Sequence, residues 1–284
     1  MELIEPVQRV VVVVLDGLRP DAIDAFALPT LMRLRRIGAY TTALTNDPSV
    51  TWAAMTTLMT GVSPAVHGVV SDSVHLPRPR GTLHPLAATL AERGLPTSAV
   101  LARIPVIFRA VASAIGRRLG VGHLRFVGEG AADILESARD RLAAQRRGLI
   151  LLHWPDADNA GHDHGWMSPE YAAGAAILDT ELAKLLDIVD ADPDTLLIAL
   201  ADHGGGGVNP KDHESDHPLD RQIPLLFAGA GVIPGEIGAH ASLLDIPATV
   251  LWALGVERPS SYQGMPLTGI MSSSRRWVPS TSVA

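Results

Sequence analysis

Three apolar runs in this chain are each followed by acidic residues. Asp16 follows Val10–Leu15 in VVVVLDG, Asp156 and Asp158 follow Gly148–Trp154 in HWPDADNAGHDHG, and Asp202 follows Thr195–Ala201 in ADHGGGG. Histidines accompany two of them: His162 stands four residues after Asp158, and His203 directly follows Asp202. His213 and His217 come within one loop, just before a further apolar run at Ile223. Taken singly, these residues have plain roles. An Asp-Gly after a strand makes a turn, and an Asp near a helix start caps it. Taken jointly, they have no economical structural role. Burying several carboxylates together costs several kcal/mol for each unpaired charge. Two divalent cations would offset that repulsion, and mixed Asp/His shells suit zinc or a similar metal. His153 and His164 read either as partly buried polar residues or as partners that orient ligands. His67, His75, His84, His123 and His240 read as structural or surface residues.

A nucleophile is needed for more than metal storage, and NDPSVTWAAMTTLMTGVSPAVHG offers one. Thr51 opens a helix expected over Thr51–Thr60, stopped by Gly61. Its hydroxyl therefore lies beside free backbone N–H groups at the positive end of the helix dipole, a favourable place for a phosphoryl oxygen. Metal coordination would lower the hydroxyl pKa. The plain alternative is that Thr51 only caps the helix. Thr56, Thr57 and Thr60 lie deeper and read as packing.

The elements that must position these groups alternate. Val10–Leu15 is a continuous β-branched run, as in a strand buried on both faces. Strands are also expected at Thr97–Leu101, Gly148–Trp154, Thr195–Ala201 and Ile223–Ala228. Helices are expected at Pro29–Gly38, Thr82–Arg93, Ala131–Arg147, Pro169–Val189 and Leu243–Leu254. Such alternation gives α/β architecture with a mainly parallel sheet covered on both faces. The carboxyl ends of parallel strands lie side by side, and ligands bind there, so the three acidic strand ends should converge. No linker splits the 284 residues, so residues 1–271 read as one catalytic domain. Residues 103–127 are least legible and read as a small lid or an irregular insert. Residues 272–284, rich in Ser, read as a flexible tail.

Composition narrows the function classes. Hydrophobic residues make up 47% and charged residues 19%, which excludes disorder as the main state. A net charge of −7 argues against a nucleic-acid polymer as partner, but not against a small phosphorylated substrate. Cysteine is absent, which excludes disulfides, thiolate metal sites and Cys nucleophiles. No apolar run approaches the ~20 residues of a membrane span, and no targeting signal is recognised. The expectation is a soluble, cytoplasmic protein.

Read together, VVVLDGLRPD, PSVTWAAMTTLMTGVSPAVHG, DADNAGHDHG and ADHGGGG resemble the alkaline phosphatase superfamily, and within it the type I phosphodiesterase and nucleotide pyrophosphatase branch. The resemblance runs from about Asp16 to Pro224. It implies an α/β/α sandwich with a mainly parallel sheet and two divalent metal ions, with zinc expected. One ion would be held by Asp16, Thr51, Asp202 and His203. The other would be held by Asp158, His162 and a late histidine, assigned to His213 with His217 as the alternative. Thr51 would attack phosphorus in line and form a phosphothreonine, which water then hydrolyses.

Two departures stand out. Phosphodiesterases of this branch carry an Asn five residues after the His of the H-G pair, where its amide helps hold a phosphoryl oxygen. Counted from His67, that position here is Asp72, a carboxylate that would repel a phosphate oxygen unless protonated or paired with an arginine. Arg78 and Arg80 stand nearby as candidate phosphate contacts or as solvated surface residues. The chain is also short for the superfamily, without room for the insert domains of phosphomutases, and it lacks the Cys of most sulfatases. On those grounds the mutase and sulfatase readings drop. The expected activity is phosphodiester hydrolysis. The alternatives are a phosphomonoesterase or phosphonate hydrolase acting on a small metabolite, or a metal- and phosphate-binding protein without turnover.

Overall fold

The computed structural model describes residues 5–72, 79–104, 106–238 and 240–272. His75, Arg78 and the expected flexible tail beyond Ser272 lie outside them. Eight strands form one sheet: β1 Arg9–Leu15, β2 Ala39–Leu44, β3 Thr97–Leu101, β4 His123–Phe126, β5 Gly148–Trp154, β6 Thr195–Leu200, β7 Gln222–Gly229 and β8 Gly235–Glu236. Their order is β4-β3-β5-β1-β6-β7-β2-β8. All seven residues of β1 are buried, as its unbroken β-branched run requires. β1 pairs in parallel with β5 and β6, with Leu15 opposite Trp154 and Val14 opposite Leu200. β7 alone runs against its neighbours, antiparallel to both β6 and β2. The architecture is therefore α/β with a mainly parallel central sheet, as expected.

The helices are α1 Ala22–Ala25, α2 Pro29–Ile37, α3 Thr51–Thr60, α4 Pro64–His67, α5 Leu86–Ala91, α6 Val106–Arg118, α7 Ala131–Ala144, α8 Asp156–His164, α9 Pro169–Asp190, α10 Pro218–Arg221 and α11 Asp245–Ala253. α9 packs against both α2 and α7, while α3, α5 and α11 form a second packed group. The helix expected over Thr82–Arg93 is shorter, because Pro85 stands at its N-cap and the residue before a proline is pushed out of helical geometry. Residues 103–127 hold α6 and the edge strand β4, which pairs in parallel with β3. α8 is built of poor helix formers, DADNAGHDH. Its acidic first turn and its histidines in the last turn both complement the helix dipole. This turns the Asp158–His162 spacing into an i,i+4 pair on one face.

Two local arrangements fix the catalytic edge of the sheet. Gly17 follows Asp16 in the left-handed region at φ +68°, and a Cβ there would stand 2.9 Å from the Asp158 Cα. Only glycine lets the two acidic turns approach so closely. The Gly17 carbonyl accepts bonds from the Trp166 indole N–H and the Tyr171 hydroxyl, both at 2.9 Å. The second arrangement anchors α3. Asn46 Nδ2 donates to Thr57 Oγ1 at 2.9 Å, Thr57 Oγ1 donates to the Val62 carbonyl, and His67 Nε2 lies 3.0 Å from Thr57 Oγ1. The Val69 N–H donates to His67 Nδ1, so Nε2 carries the proton of a neutral ring. Thr57 and His67 thus tie α3 to the turn after it, which is more than generic packing.

His67 is fully buried, and burial depresses its pKa from 6.5 to about 4. The unfolded chain therefore binds the extra proton first, and stability falls as pH drops from 6.5 toward 4. His67→Gln should narrow the gap to wild type across that window, by on the order of 3 kcal/mol in all. Urea unfolding of both metal-free proteins at several pH values measures it, and a gap constant with pH would refute the neutral-histidine anchor.

Candidate active site

Asp16 leaves β1 at the point where β5 turns into α8 and β6 ends. The ladder register brings Asp16, Asp158 and Asp202 to one place at the carboxyl edge. Asp16 and Asp202 are buried and Asp158 is half-buried. Three of their oxygens (Asp16 Oδ1, Asp158 Oδ1 and Asp202 Oδ2) are buried without a hydrogen-bond donor. Burial and the neighbouring Asp202 and Asp158 charges push the Asp16 pKa well above the usual carboxylate range. Burial also opposes charge on Asp202, but His203 and His153 outweigh it and hold its pKa below the usual value.

Three histidines face these carboxylates in one common way. His203 Nδ1 lies 2.8 Å from the Gly204 carbonyl, His213 Nδ1 2.6 Å from the Ser49 carbonyl, and His162 Nδ1 3.0 Å from the Lys211 carbonyl. A carbonyl can only accept, so each Nδ1 carries a proton and each Nε2 is the ring atom turned inward. His203 Nε2 is 3.3 Å from Asp16 Oδ1, His162 Nε2 is 3.5 Å from Asp158 Oδ1, and His213 Nε2 is 4.0 Å from the same oxygen. An Nε2 atom so close to carboxylate oxygens calls for a cation between them, a proton or a metal ion. Ligand atoms of Asp16, Asp202 and His203 lie within 4.8 Å of one another, as do those of Asp158, His203 and His213. The orphaned oxygens, the inward Nε2 atoms and the carbonyl-fixed rings fit divalent metal ions with mixed N/O ligation.

His162 is the most open of the expected ligands, 42% exposed at its side chain. Its ring nonetheless packs edge-on to His213 with centroids 5.0 Å apart. His217 points elsewhere, where its Nδ1 accepts the Leu219 N–H and caps α10. Thr51 is the first residue of α3, and its Oγ1 lies 3.1 Å from His203 Nε2, at the mouth of the carboxylate cluster. Asp72 reaches the same end of α3, where its Oδ1 accepts the Trp52 N–H at 2.9 Å.

The structure also places residues whose part the sequence leaves open or silent. Half-buried His153 points Nε2 at Asp16 Oδ2, 3.0 Å away; the signal in sequence is a histidine inside an otherwise apolar strand. Buried Asp220 accepts the Gly207 and Ser215 N–H groups and the Ser215 hydroxyl. It thereby fixes the loop that presents His213, and nothing in the sequence marks it. Ser49 Oγ donates to the His213 carbonyl, and Thr45 Oγ1 to that of Asp202. The segment leading into α3 is thus stitched to the loop bearing the histidines.

This fold, with paired Asp/His clusters beneath a helix-opening threonine, defines a protein of the alkaline phosphatase superfamily. Residues 10–84 and 107–236 match the type I phosphodiesterase / nucleotide pyrophosphatase family, and the chain belongs to it. Its curated relatives include the phosphopentomutase of Methylobacterium sp. (strain 4-46), 34% identical over 113 residues, or 40% of this chain and 26% of that protein. The phosphopentomutase of Symbiobacterium thermophilum is 31% identical over 126 residues, 44% of this chain and 30% of that protein. The chain thus spans less than a third of the length of either relative. Among solved structures, murine ectonucleotide pyrophosphatase/phosphodiesterase 5 in complex with AMP superposes with a TM-score of 0.70 at 14% identity, covering 93% of this chain and 100% of that one. A 2-O GAG sulfatase superposes with a TM-score of 0.72 at 13% identity, covering 93% of this chain and 74% of that one. These structures share the fold. The mutase relatives correct the expectation that shortness removes that class, since overall length says nothing about a shared core. Family and relatives together support metal-dependent phosphoryl transfer.

The opposed roles of the two loop histidines make a direct test. His213→Ala should lose metal and most activity, while His217→Ala should keep its metal and lose only the modest stability of a helix cap, ~1 kcal/mol. Elemental analysis of both purified variants measures this. The reverse outcome would reassign the ligand to His217.

Proposed function

We propose that the chain is a metal-dependent phosphodiesterase that acts through a covalent phosphothreonine on Thr51. The observation that carries this reading is the Thr51 hydroxyl, 3.1 Å from His203 Nε2 at the first turn of α3. That same Nε2 lies 3.3 Å from the orphaned Asp16 Oδ1. Asp16, Thr51, Asp202 and His203 would hold one divalent ion, and Asp158, His162 and His213 a second; zinc suits this donor set. Bound ions would supply acidification of the Thr51 hydroxyl and neutralisation of charge on the phosphoryl oxygens.

The chain's own residues do the rest. Thr51 Oγ forms the new bond to phosphorus as the bond to the leaving oxygen breaks, and water later cleaves the phosphothreonine to regenerate the hydroxyl. The Asn46–Thr57–His67 anchor keeps α3, and with it Thr51, in register with the cluster. His153 orients Asp16, and Asp220 holds the loop bearing His213. The substrate is a small phosphorylated molecule. The phosphopentomutase relatives favour a second reading, in which the phosphoryl group moves to an acceptor hydroxyl instead of to water.

Thr51→Ala distinguishes a nucleophile from a cap. A lost cap costs ~1 kcal/mol and leaves turnover. A lost nucleophile lowers hydrolysis by orders of magnitude in a folded protein that retains most of its metal. Thr51→Ser should keep partial activity, and acid quenching during turnover should leave phosphate on the peptide containing Thr51. Hydrolysis by Thr51→Ala near the wild-type rate would overturn the mechanism.

A further inference from the structure

Asp72 is a carboxylate placed where an anionic substrate has to come. Val50, at the N-cap of α3, makes no side-chain bond to the helix, and the amide next to the nucleophile is taken by Asp72 Oδ1 at 2.9 Å. A free helix N-terminus attracts a phosphoryl oxygen; this one already carries an anion. Asp72 is exposed, whereas Asp16 and Asp202 are buried and Asp158 is half-buried. Among the described residues no salt bridge joins Asp72 to a cation.

We propose that Asp72 is a charge filter that sets substrate class, admitting monoanionic phosphodiesters and turning away dianionic phosphomonoesters. The proposal rests on the reading of Thr51 as the phosphoryl nucleophile. A group attacked by Thr51 lies between the buried cluster and Asp72, so its outer oxygens face the carboxylate. A phosphodiester brings one negative charge there. A monoester brings nearly two above the second phosphate pKa of ~6. One further unit charge at roughly 6 Å, in the intermediate dielectric of a site mouth, is worth about tenfold in binding. The Trp52 amide cannot offset this, because Asp72 already occupies it.

Asp72→Asn is the decisive substitution, since its amide oxygen can still accept the Trp52 N–H while the charge is gone. With bis-p-nitrophenyl phosphate and p-nitrophenyl phosphate, which share a leaving group, kcat/KM for the monoester should rise about tenfold more than for the diester. Asp72→Ala should shift the ratio likewise. A shift in Asp72→Ala alone would mean that the cap and not the charge matters, and would overturn the proposal. Added salt should erode the wild-type preference but not that of Asp72→Asn, because an exposed charge is screened. Binding gives an independent readout. In metal-loaded Thr51→Ala protein, inorganic phosphate measured by calorimetry should bind about tenfold tighter when Asp72→Asn is added. This arm decides the matter if neither aryl ester is turned over. An unchanged ratio and unchanged phosphate affinity refute the filter. Hydrolysis by Thr51→Ala at the wild-type rate instead refutes the nucleophile reading, whatever Asp72 does.

Discussion

Asp16, Asp158 and Asp202 meet because β1 is paired in parallel between β5 and β6, and three carboxylates sharing one pocket repel one another. Among the described residues, the ion-pair partners of these three are histidines alone. Lysine or arginine would neutralise the cluster permanently. Histidine, with Nδ1 spent on a backbone carbonyl, turns Nε2 to the cluster, where it can carry a proton or give it up for a metal ion. Such a donor set fits divalent cations without a permanent positive charge beside them. Folding against that repulsion needs compensation, and the apolar sheet beneath the site supplies it. β1 is buried along its whole length, as is β6.

The same constraint explains the hydrogen bonding around the cluster. The Gly17 carbonyl is held by Trp166 and Tyr171, and the Asp202 and His213 carbonyls by Thr45 and Ser49. Groups that repel need rigid backbone on every side, and each of these bonds fixes a main-chain atom adjoining a site residue. Side chains add to this support, buried Asp220 in the 203–220 loop and half-buried His153 behind Asp16.

How much of this is legible in the sequence depends on the kind of signal. β1, β3, β5, β6 and most of β7 are plain, because strands buried on both faces read as apolar runs. β2, AYTTAL, is not: its burial is interrupted and its polar threonines hide the strand. α6 and β4 are equally obscure because the edge strand is only partly buried, which weakens the hydrophobic pattern. At the site, Asp16, Asp158, Asp202 and His203 stand out by their strand-end positions. His213 and His217 cannot be separated by spacing; the difference lies in which carbonyl or amide each ring meets. Asp220 and the Asn46–Thr57–His67 anchor leave no sequence signal, because their partners are brought together only by the fold.

The reversal of β7 makes so small a site complete. In an all-parallel sheet the chain leaving β6 would cross to the opposite edge before the next strand, and its loop could contribute only a few residues to the site. Here β7 runs antiparallel to β6, so residues 201–221 never leave the carboxyl edge. That single excursion delivers Asp202, His203 and His213 and is closed by Asp220. β2 is antiparallel to β7 in turn, and therefore parallel to β1, so its carboxyl end opens onto the same edge and carries Thr45, Ser49 and Thr51 there. The reversed strand β7, which the strand-helix alternation of the sequence does not reveal, thus keeps the histidine loop on the edge to which β2 brings α3. A wholly parallel arrangement would have left the carboxylates and Thr51 at this edge and carried the chain after His203 away from it.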